Sequence, residues 1–234
     1  MPNITVSHAV AKEYSMVEAI KVLRTNIFFC GNNVKAIALT SCAPSEGKST
    51  ISLNLSASIA QSGKRVVLLD TDLRKSTLYS RIWTGGRRSG QVQGLSHYLS
   101  GMVGMEDILF TTDISNLYII FAGALVTNAD ELLGSDVFVQ LMQALKNTFD
   151  YIIVDTSPLG QVIDCAIMAP MLDRVALVMD ANNNSYKIAR RVKKQLESVG
   201  CKMLGVILNK VDYKEHGGYY GGYYRKYEKY GQSE

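Results

Sequence analysis

The chain has no C-x-x-C pair. Its four cysteines, Cys30, Cys42, Cys165 and Cys201, stand far apart, so zinc and iron–sulfur ligation find no support. Three of them sit in or beside apolar stretches, which suits buried thiols in a reducing compartment better than a disulfide framework. There is no long hydrophobic run either: the longest, about Leu117 to Val126, is too short to span a bilayer. The start, MPNITVSHAVAKEY, lacks the basic stretch and apolar run of a secretory signal. Charge of one sign is not in large excess. Lys and Arg number 25 against 21 Asp and Glu, giving a net charge of +4 and a pI near 8.8. That permits contact with an acidic membrane face or an acidic partner and does not argue for nucleic acid. The expectation is a cytoplasmic protein that reaches a membrane only through a partner. What is there is ordinary globular composition. With 234 residues, 47% hydrophobic and 20% charged, the chain is no collagen, coiled coil or wholly disordered polymer, and it can bury a sizeable core.

Residues 1–14 read as a loose arm, and Ser15–Phe29 as an amphipathic helix carrying Val17, Ile20, Val22, Leu23 and Ile27. Short apolar runs follow that suit buried strands: Ala36–Thr40, Arg65–Asp70, Leu117–Phe121, Tyr151–Asp155, Val175–Asp180 and Leu204–Asn209. Between them lie helical stretches: Lys48–Gln61, pieces around Gly94–Leu99 and Met105–Leu109, Asp130–Lys146 with Asn128 as N-cap, and a basic helix Ser185–Val199. Residues 84–94, TGGRRSGQVQG, read as a loop. Strands alternating with helices imply a doubly wound, mostly parallel α/β sheet over residues 15–212. From Tyr213 onward the chain changes to YKEHGGYYGGYYRKYEKY. It carries seven of the 13 tyrosines, Tyr213, Tyr219, Tyr220, Tyr223, Tyr224, Tyr227 and Tyr230, without apolar periodicity, and reads as a flexible tail, 213–234.

The chemistry concentrates in residues 43–50, APSEGKST, set between a strand and a helix. Backbone N–H groups of such a turn bind phosphate oxygens, and the helix N-terminus adds positive potential. The nucleotide-binding stretch is therefore Ala43, Pro44, Ser45, Glu46, Gly47, Lys48, Ser49 and Thr50. Lys48 can reach the β- and γ-phosphates, and the Ser49 hydroxyl can bind Mg²⁺. Cys42 holds the place of the first glycine of G-x-x-x-x-G-K-[ST], but the strand–loop–helix context remains. Two apolar strands ending in aspartate, VVLLDTDLR (Asp70, Asp72) and YIIVDTSP (Asp155), are expected beside the loop's strand, facing the metal.

GKST followed by VVLLDTDLR and YIIVDTSP resembles the bacterial tyrosine kinases of capsule and exopolysaccharide systems. Asp70, Asp72 and Arg74 fill that family's D-x-D-x-R pattern. NADELL at 128–133 is similar to its N-P-x-E-L-L segment, with Ala129 at the proline. The tyrosine-rich terminus is also typical, and the resemblance runs from about residue 14 to the end. It implies a split, cytoplasmic kinase that uses ATP and Mg²⁺ and phosphorylates its own tail tyrosines, mostly between neighbours in a ring. A membrane protein of the polysaccharide chain-length type would activate it, and a cognate tyrosine phosphatase would oppose it. Two departures stand out. The family often has Gly where Ser45 stands; serine fits if its φ is negative, and binding is expected to survive. The family's ring-forming E-x-x-R-x-x-R becomes Glu18, Lys21 and Arg24 here, one side of a helix with one guanidinium fork fewer.

The resemblance assigns roles residue by residue. Lys48 neutralises the γ-phosphate; Ser49 binds the metal, and Asp155 does so through water. Asp70 orients or deprotonates the acceptor phenol or contacts the metal, and Asp72 is the second candidate for either task. Asn209 either meets the adenine edge or caps its strand. A tail loaded with phosphate would be repelled by Asp70, Asp72 and Asp155, so heavy phosphorylation is expected to loosen the ring. The basic helix with Lys187, Arg190, Arg191, Lys193 and Lys194 is either a solvated face or a surface for acidic lipid or an acidic partner. Arg81, Arg87 and Arg88 could approach phosphates. The competing reading is a switch ATPase of the partition or septum-positioning type. Ala43 stands where those proteins resemble a lysine-bearing K-G-G-x-G-K-T, and they lack a tyrosine tail. A non-catalytic ATP-binding partner is a third reading, opposed by Lys48, Asp70 and Asp155.

Overall fold

The computed structural model describes residues 1–31, 33–83, 92–158, 164–182 and 186–211. Eight strands form one sheet: β1 (Asn3–Ile4), β2 (Ala36–Ser41), β3 (Val66–Asp70), β4 (Leu109–Thr112), β5 (Leu117–Ile120), β6 (Tyr151–Asp155), β7 (Arg174–Asp180) and β8 (Met203–Asn209). Their order is β1-β4-β5-β3-β6-β2-β7-β8, and every pairing is parallel except β4 with β5. The helices are α1 (Tyr14–Phe28), α2 (Lys48–Gln61), α3 (Leu78–Ile82), α4 (Leu95–Leu99), α5 (Met105–Ile108), α6 (Ala129–Leu133), α7 (Asp136–Thr148), α8 (Asp164–Met168) and α9 (Tyr186–Ser198), with a 3₁₀ turn at Ala169–Met171. The expected doubly wound α/β class is what forms.

The central strands read as continuous apolar runs because both faces of a parallel sheet are covered. Alternate residues feed two cores. Ala36, Ala38, Val67, Leu69, Ile152 and Val154 pack with Phe138, Leu141 and Leu145 of α7 and with Val192 and Leu196 of α9. Ile37, Leu39, Leu68 and Ile153 pack with Leu55 and Ile59 of α2 and with Ile20 and Ile27 of α1. Helix α2 is buried along almost its whole length, although it carries Ser52, Asn54, Ser56 and Ser58. Its polar groups are satisfied within the fold. Ser56 Oγ donates to the Ser52 carbonyl at 2.7 Å, and Asn54 Nδ2 to the Thr50 carbonyl at 2.8 Å. Polar and apolar residues thus ring the helix, which is why it shows little amphipathic pattern.

Four details differ from the sequence reading. The N-terminal arm is tied down: Asn3 and Ile4 pair with β4, the Val6 N–H donates to Asp113 Oδ1 at 2.6 Å, and Ile4 and Val6 are buried. A two-residue strand has no readable periodicity, so only the sheet reveals it. The helix expected over Asp130–Lys146 is two helices, because Gly134 ends α6 and Ser135 caps α7 by accepting from the Phe138 N–H. Asn128 holds the N-cap position of α6 without a side-chain cap bond. Finally, β6 borders β2, but β3 lies one strand further out. Residues 84–91 and the tail 213–234 lie outside the described residues.

Candidate functional site

The loop between β2 and α2 stands where the strand order turns, at the carboxyl ends of β2, β6 and β3. A cavity of about 460 Å³ opens there. Pro44, Ser45, Glu46, Gly47, Lys48 and Ser49 form one wall, with Asp72, Arg74, Lys75 and Arg81 opposite. Two parallel registers bring the acids together: Asp70 is the Cα partner of Asp155, and Leu39 pairs with Asp155 on its other side.

Lys48 is buried and extends to Asp155, Nζ to Oδ1 at 2.6 Å. Ser52, one turn along α2, brings its Oγ to 3.2 Å from the same oxygen. Asp70 is buried too, and accepts from the Ser76 hydroxyl and from the Asp72 N–H. Its carboxyl is pushed up to about 7. Burial is the largest cause and the Asp155 carboxylate the second, while Ser76 and Lys48 act against them. Asp72 is less buried and faces the cavity; burial raises its carboxyl as well. Two buried carboxylates sharing one ammonium leave a site short of positive charge, and such a site favours a cation or a proton.

The expected nucleotide and metal residues all lie among the described residues. Lys48, Ser49, Asp70, Asp72 and Asp155 converge, and Ala43 to Thr50 form the loop and its helix start. Ser45 has φ +65°, so the negative φ expected for it does not hold. Gly47 has φ +92°, a conformation that favours glycine, and a Cβ there would meet Asn209 Nδ2 at 2.0 Å, so that side chain would have to move. Asn209 is fastened to the loop: its Nδ2 donates to the Glu46 carbonyl at 2.8 Å. The side chain of Glu46 is buried. Its Oε2 accepts from the Ala43 N–H at 2.9 Å, which makes it a staple within the loop. Cys42 is buried, and its thiol is pushed up to about 11 by burial and then by Glu46, so it is no nucleophile.

Arg74 spans from the Asp70–Asp72 loop to α6 and α8. It reaches the Thr127 carbonyl at 2.9 Å, Asp130 Oδ1 at 3.1 Å and Asp164 Oδ2 at 3.3 Å. Arg81 Nη1 donates to Thr50 Oγ1 at 2.9 Å, which fixes a residue whose geometry the sequence left open. On α1, Lys21 pairs with Glu18 at 2.6 Å, while Arg24 turns inward to the Ser58 carbonyl of α2 at 2.9 Å. The seven tail tyrosines, Arg87 and Arg88 lie outside the described residues. Sequence reasoning missed Ser52 and Ser76. Ser52 was findable, four residues after Lys48 on the same helix face; nothing in the sequence marks Ser76.

A phosphate cradle at a helix start, with a lysine over two strand-terminal aspartates, defines a P-loop nucleotide-binding domain. A family model described as an AAA domain matches residues 34–203. The chain is 38% identical over 207 residues to the tyrosine-protein kinase CpsD of Streptococcus agalactiae, covering 86% of this chain and 89% of that protein. Among solved structures, the kinase domain of Escherichia coli tyrosine kinase ETK aligns with a TM-score of 0.76 at 32% identity, covering 83% of this chain and 75% of that one. The septum site-determining protein MinD of Pyrococcus horikoshii, complexed with Mg-ADP, shares the fold at a TM-score of 0.59 and 22% identity, over 75% and 70% of the two chains. The chain belongs to the bacterial tyrosine-protein kinases of capsule biosynthesis, within the AAA-domain family.

Proposed function

We propose that this kinase transfers the γ-phosphoryl group of ATP to tyrosines of its own C-terminal segment, between neighbouring subunits, and so regulates capsular or exopolysaccharide synthesis and export. The observation that carries the reading is the Lys48–Asp155 pair, 2.6 Å apart beside the buried Asp70 and under the phosphate loop. In this reading Lys48 leaves Asp155 for the β- and γ-phosphates when ATP enters. That exchange frees the Asp155 carboxylate where a metal is needed. Among the described residues no group of three His, Cys, Asp or Glu stands ready to cage a metal. This fits an ion held by one hydroxyl, one or two carboxylates and the substrate's own phosphates. Ser49, Asp155 and Asp70 would hold Mg²⁺, which neutralises charge developing on the phosphates.

The chain's own residues do the rest. The N–H groups of residues 45–50 orient the triphosphate. Lys48 offsets negative charge on the transferring group, and Asp70 or Asp72 receives the hydrogen bond of the incoming phenol. The phenol oxygen forms the new bond to phosphorus as the bond to the β–γ bridging oxygen breaks, leaving ADP; the phenol proton leaves through the carboxylate to solvent. The acceptors are Tyr213, Tyr219, Tyr220, Tyr223, Tyr224, Tyr227 and Tyr230. The exposed Glu18–Lys21 face of α1 supports contact between subunits, with Arg24 bracing α1 on α2. A membrane protein of the chain-length co-polymerase type recruits the kinase to the inner face of the membrane. The test mixes two full-length forms: one active with all seven tail tyrosines changed to phenylalanine, the other Lys48→Met with its tail intact. Phosphate on the Lys48→Met chains supports transfer between subunits. Unlabelled Lys48→Met chains, beside a wild type that labels itself, contradict it.

A further inference from the structure

The phosphate loop is contacted from the end of β8 by a lysine, Lys210. Ser45 sits at φ +65°, a left-handed conformation that L-residues other than glycine rarely adopt. A left-handed residue within such a turn is a backbone device by which successive N–H groups form an anion nest. Two carbonyls of the loop are caught by side chains from the end of β8. Lys210 Nζ donates to the Ser45 carbonyl at 2.8 Å, and Asn209 Nδ2 donates to the Glu46 carbonyl at 2.8 Å. Lys210 is itself held in place. Its ammonium is 2.8 Å from Oδ2 of the buried Asp180, and its carbonyl accepts from Asn182 Nδ2 at 2.9 Å. Its own backbone also takes a positive φ, +58°, to make the reach.

We propose that Lys210 is a positioning residue for nucleotide binding: it clamps the Ser45 carbonyl and so maintains the left-handed turn that aims the loop's N–H groups at the phosphates. The inference rests on residues 43–50 being the nucleotide loop. A charge-assisted bond to a carbonyl is among the stronger ones a side chain makes, and it opposes a backbone strain of similar size. The clamp compensates for a serine where glycine would hold the same turn unaided. Asp180 fixes the ammonium at the correct depth, and Lys210 itself never touches substrate.

The test measures affinity for a fluorescent ATP analogue, together with KM for ATP and kcat, on the full chain. The variants are Lys210→Met, Lys210→Arg, Ser45→Gly and the double variant Ser45→Gly/Lys210→Met. Lys210→Met is expected to weaken ATP binding about tenfold and raise KM by the same factor, with kcat at saturating ATP within about twofold of wild type. Lys210→Arg restores most of the affinity. The double variant binds within about threefold of wild type, because glycine holds the turn without the clamp. A merely structural loss would lower the melting temperature and kcat together and would not be rescued by Ser45→Gly. Wild-type affinity in Lys210→Met overturns the proposal, and so does a double variant as weak as Lys210→Met alone. A wild type that binds no ATP overturns the nucleotide-loop reading itself.

Discussion

Asp70→Asn should make the nucleotide-free protein more stable while removing its activity. The native carboxyl, raised to about 7 by burial and by Asp155, keeps its proton well above the pH at which an unfolded aspartate releases it. Between about pH 4 and 7 the native state binds more protons than the unfolded chain, so this group lowers stability as pH rises through that window. Above it the ionised Asp70 sets a ceiling of about 4 kcal/mol of destabilisation, from three pH units at ~1.4 kcal/mol each. Relaxation and water entry reduce that, and a gain of about 2 kcal/mol is the working figure. For a chain of this size it corresponds to a rise in Tm of roughly 4–8 °C at pH 8. The asparagine keeps the local bonds: its oxygen accepts from the Asp72 N–H, and its amide donates to Ser76 Oγ. The assay is thermal or urea unfolding of both proteins between pH 5 and 8, without nucleotide. The variant should lie above wild type throughout this range, with the gap smallest at pH 5 and widest at pH 8. A variant no more stable than wild type at pH 8, or a gap that does not widen with pH, refutes the reasoning. Stability given up at an active site is the usual exchange for function.

Lys48→Met leaves the buried Asp155 without its ammonium beside a second buried acid; about 3–5 kcal/mol of stability is expected to be lost at pH 8, read by urea unfolding, and less at pH 5. Gly47→Ala places a Cβ on Asn209 Nδ2 and strains φ; fluorescent-nucleotide titration should show binding lost more than a hundredfold. Ser135→Ala removes the cap of α7 and should cost about 1 kcal/mol in thermal unfolding without changing KM for ATP. Arg74→Ala frees the Asp70–Asp72 loop from Asp130 and Asp164; kcat should fall about tenfold or more, with ATP affinity nearly unchanged, in steady-state kinetics.

The sequence was most informative where one backbone device serves one ligand chemistry. GKST between a strand and a helix, and apolar strands ending in Asp70 and Asp155, required no long-range information beyond parallel pairing, and the sheet brings them together, although β3 borders β6 and not the loop's own strand β2. It was least informative where the contact joins distant elements. Asn209 was weighed as an adenine contact or a strand cap, but its amide holds the Glu46 carbonyl, because β7 and β8 end level with the loop. The contacts of Lys210 were not readable, since its partners Ser45 and Asp180 lie 165 and 30 positions away. The condition set for Ser45, a negative φ, is not met, although residue type alone favours that range. The tertiary bonds behind the loop decide otherwise. Short elements failed for a simpler reason. β1 has two residues and α3 has five, too few for any periodicity to register.

The most direct measurement of the central claim is site-resolved phosphotyrosine mass on the full chain after incubation with Mg-ATP. The cytoplasmic segment of the membrane activator is added or withheld, and Lys48→Met is run in parallel. The account predicts phosphate on tyrosines within 213–230, increased by the activator segment and absent from the Lys48 variant. ATP hydrolysis with no phosphate on those tyrosines, even with the activator segment present, would contradict it.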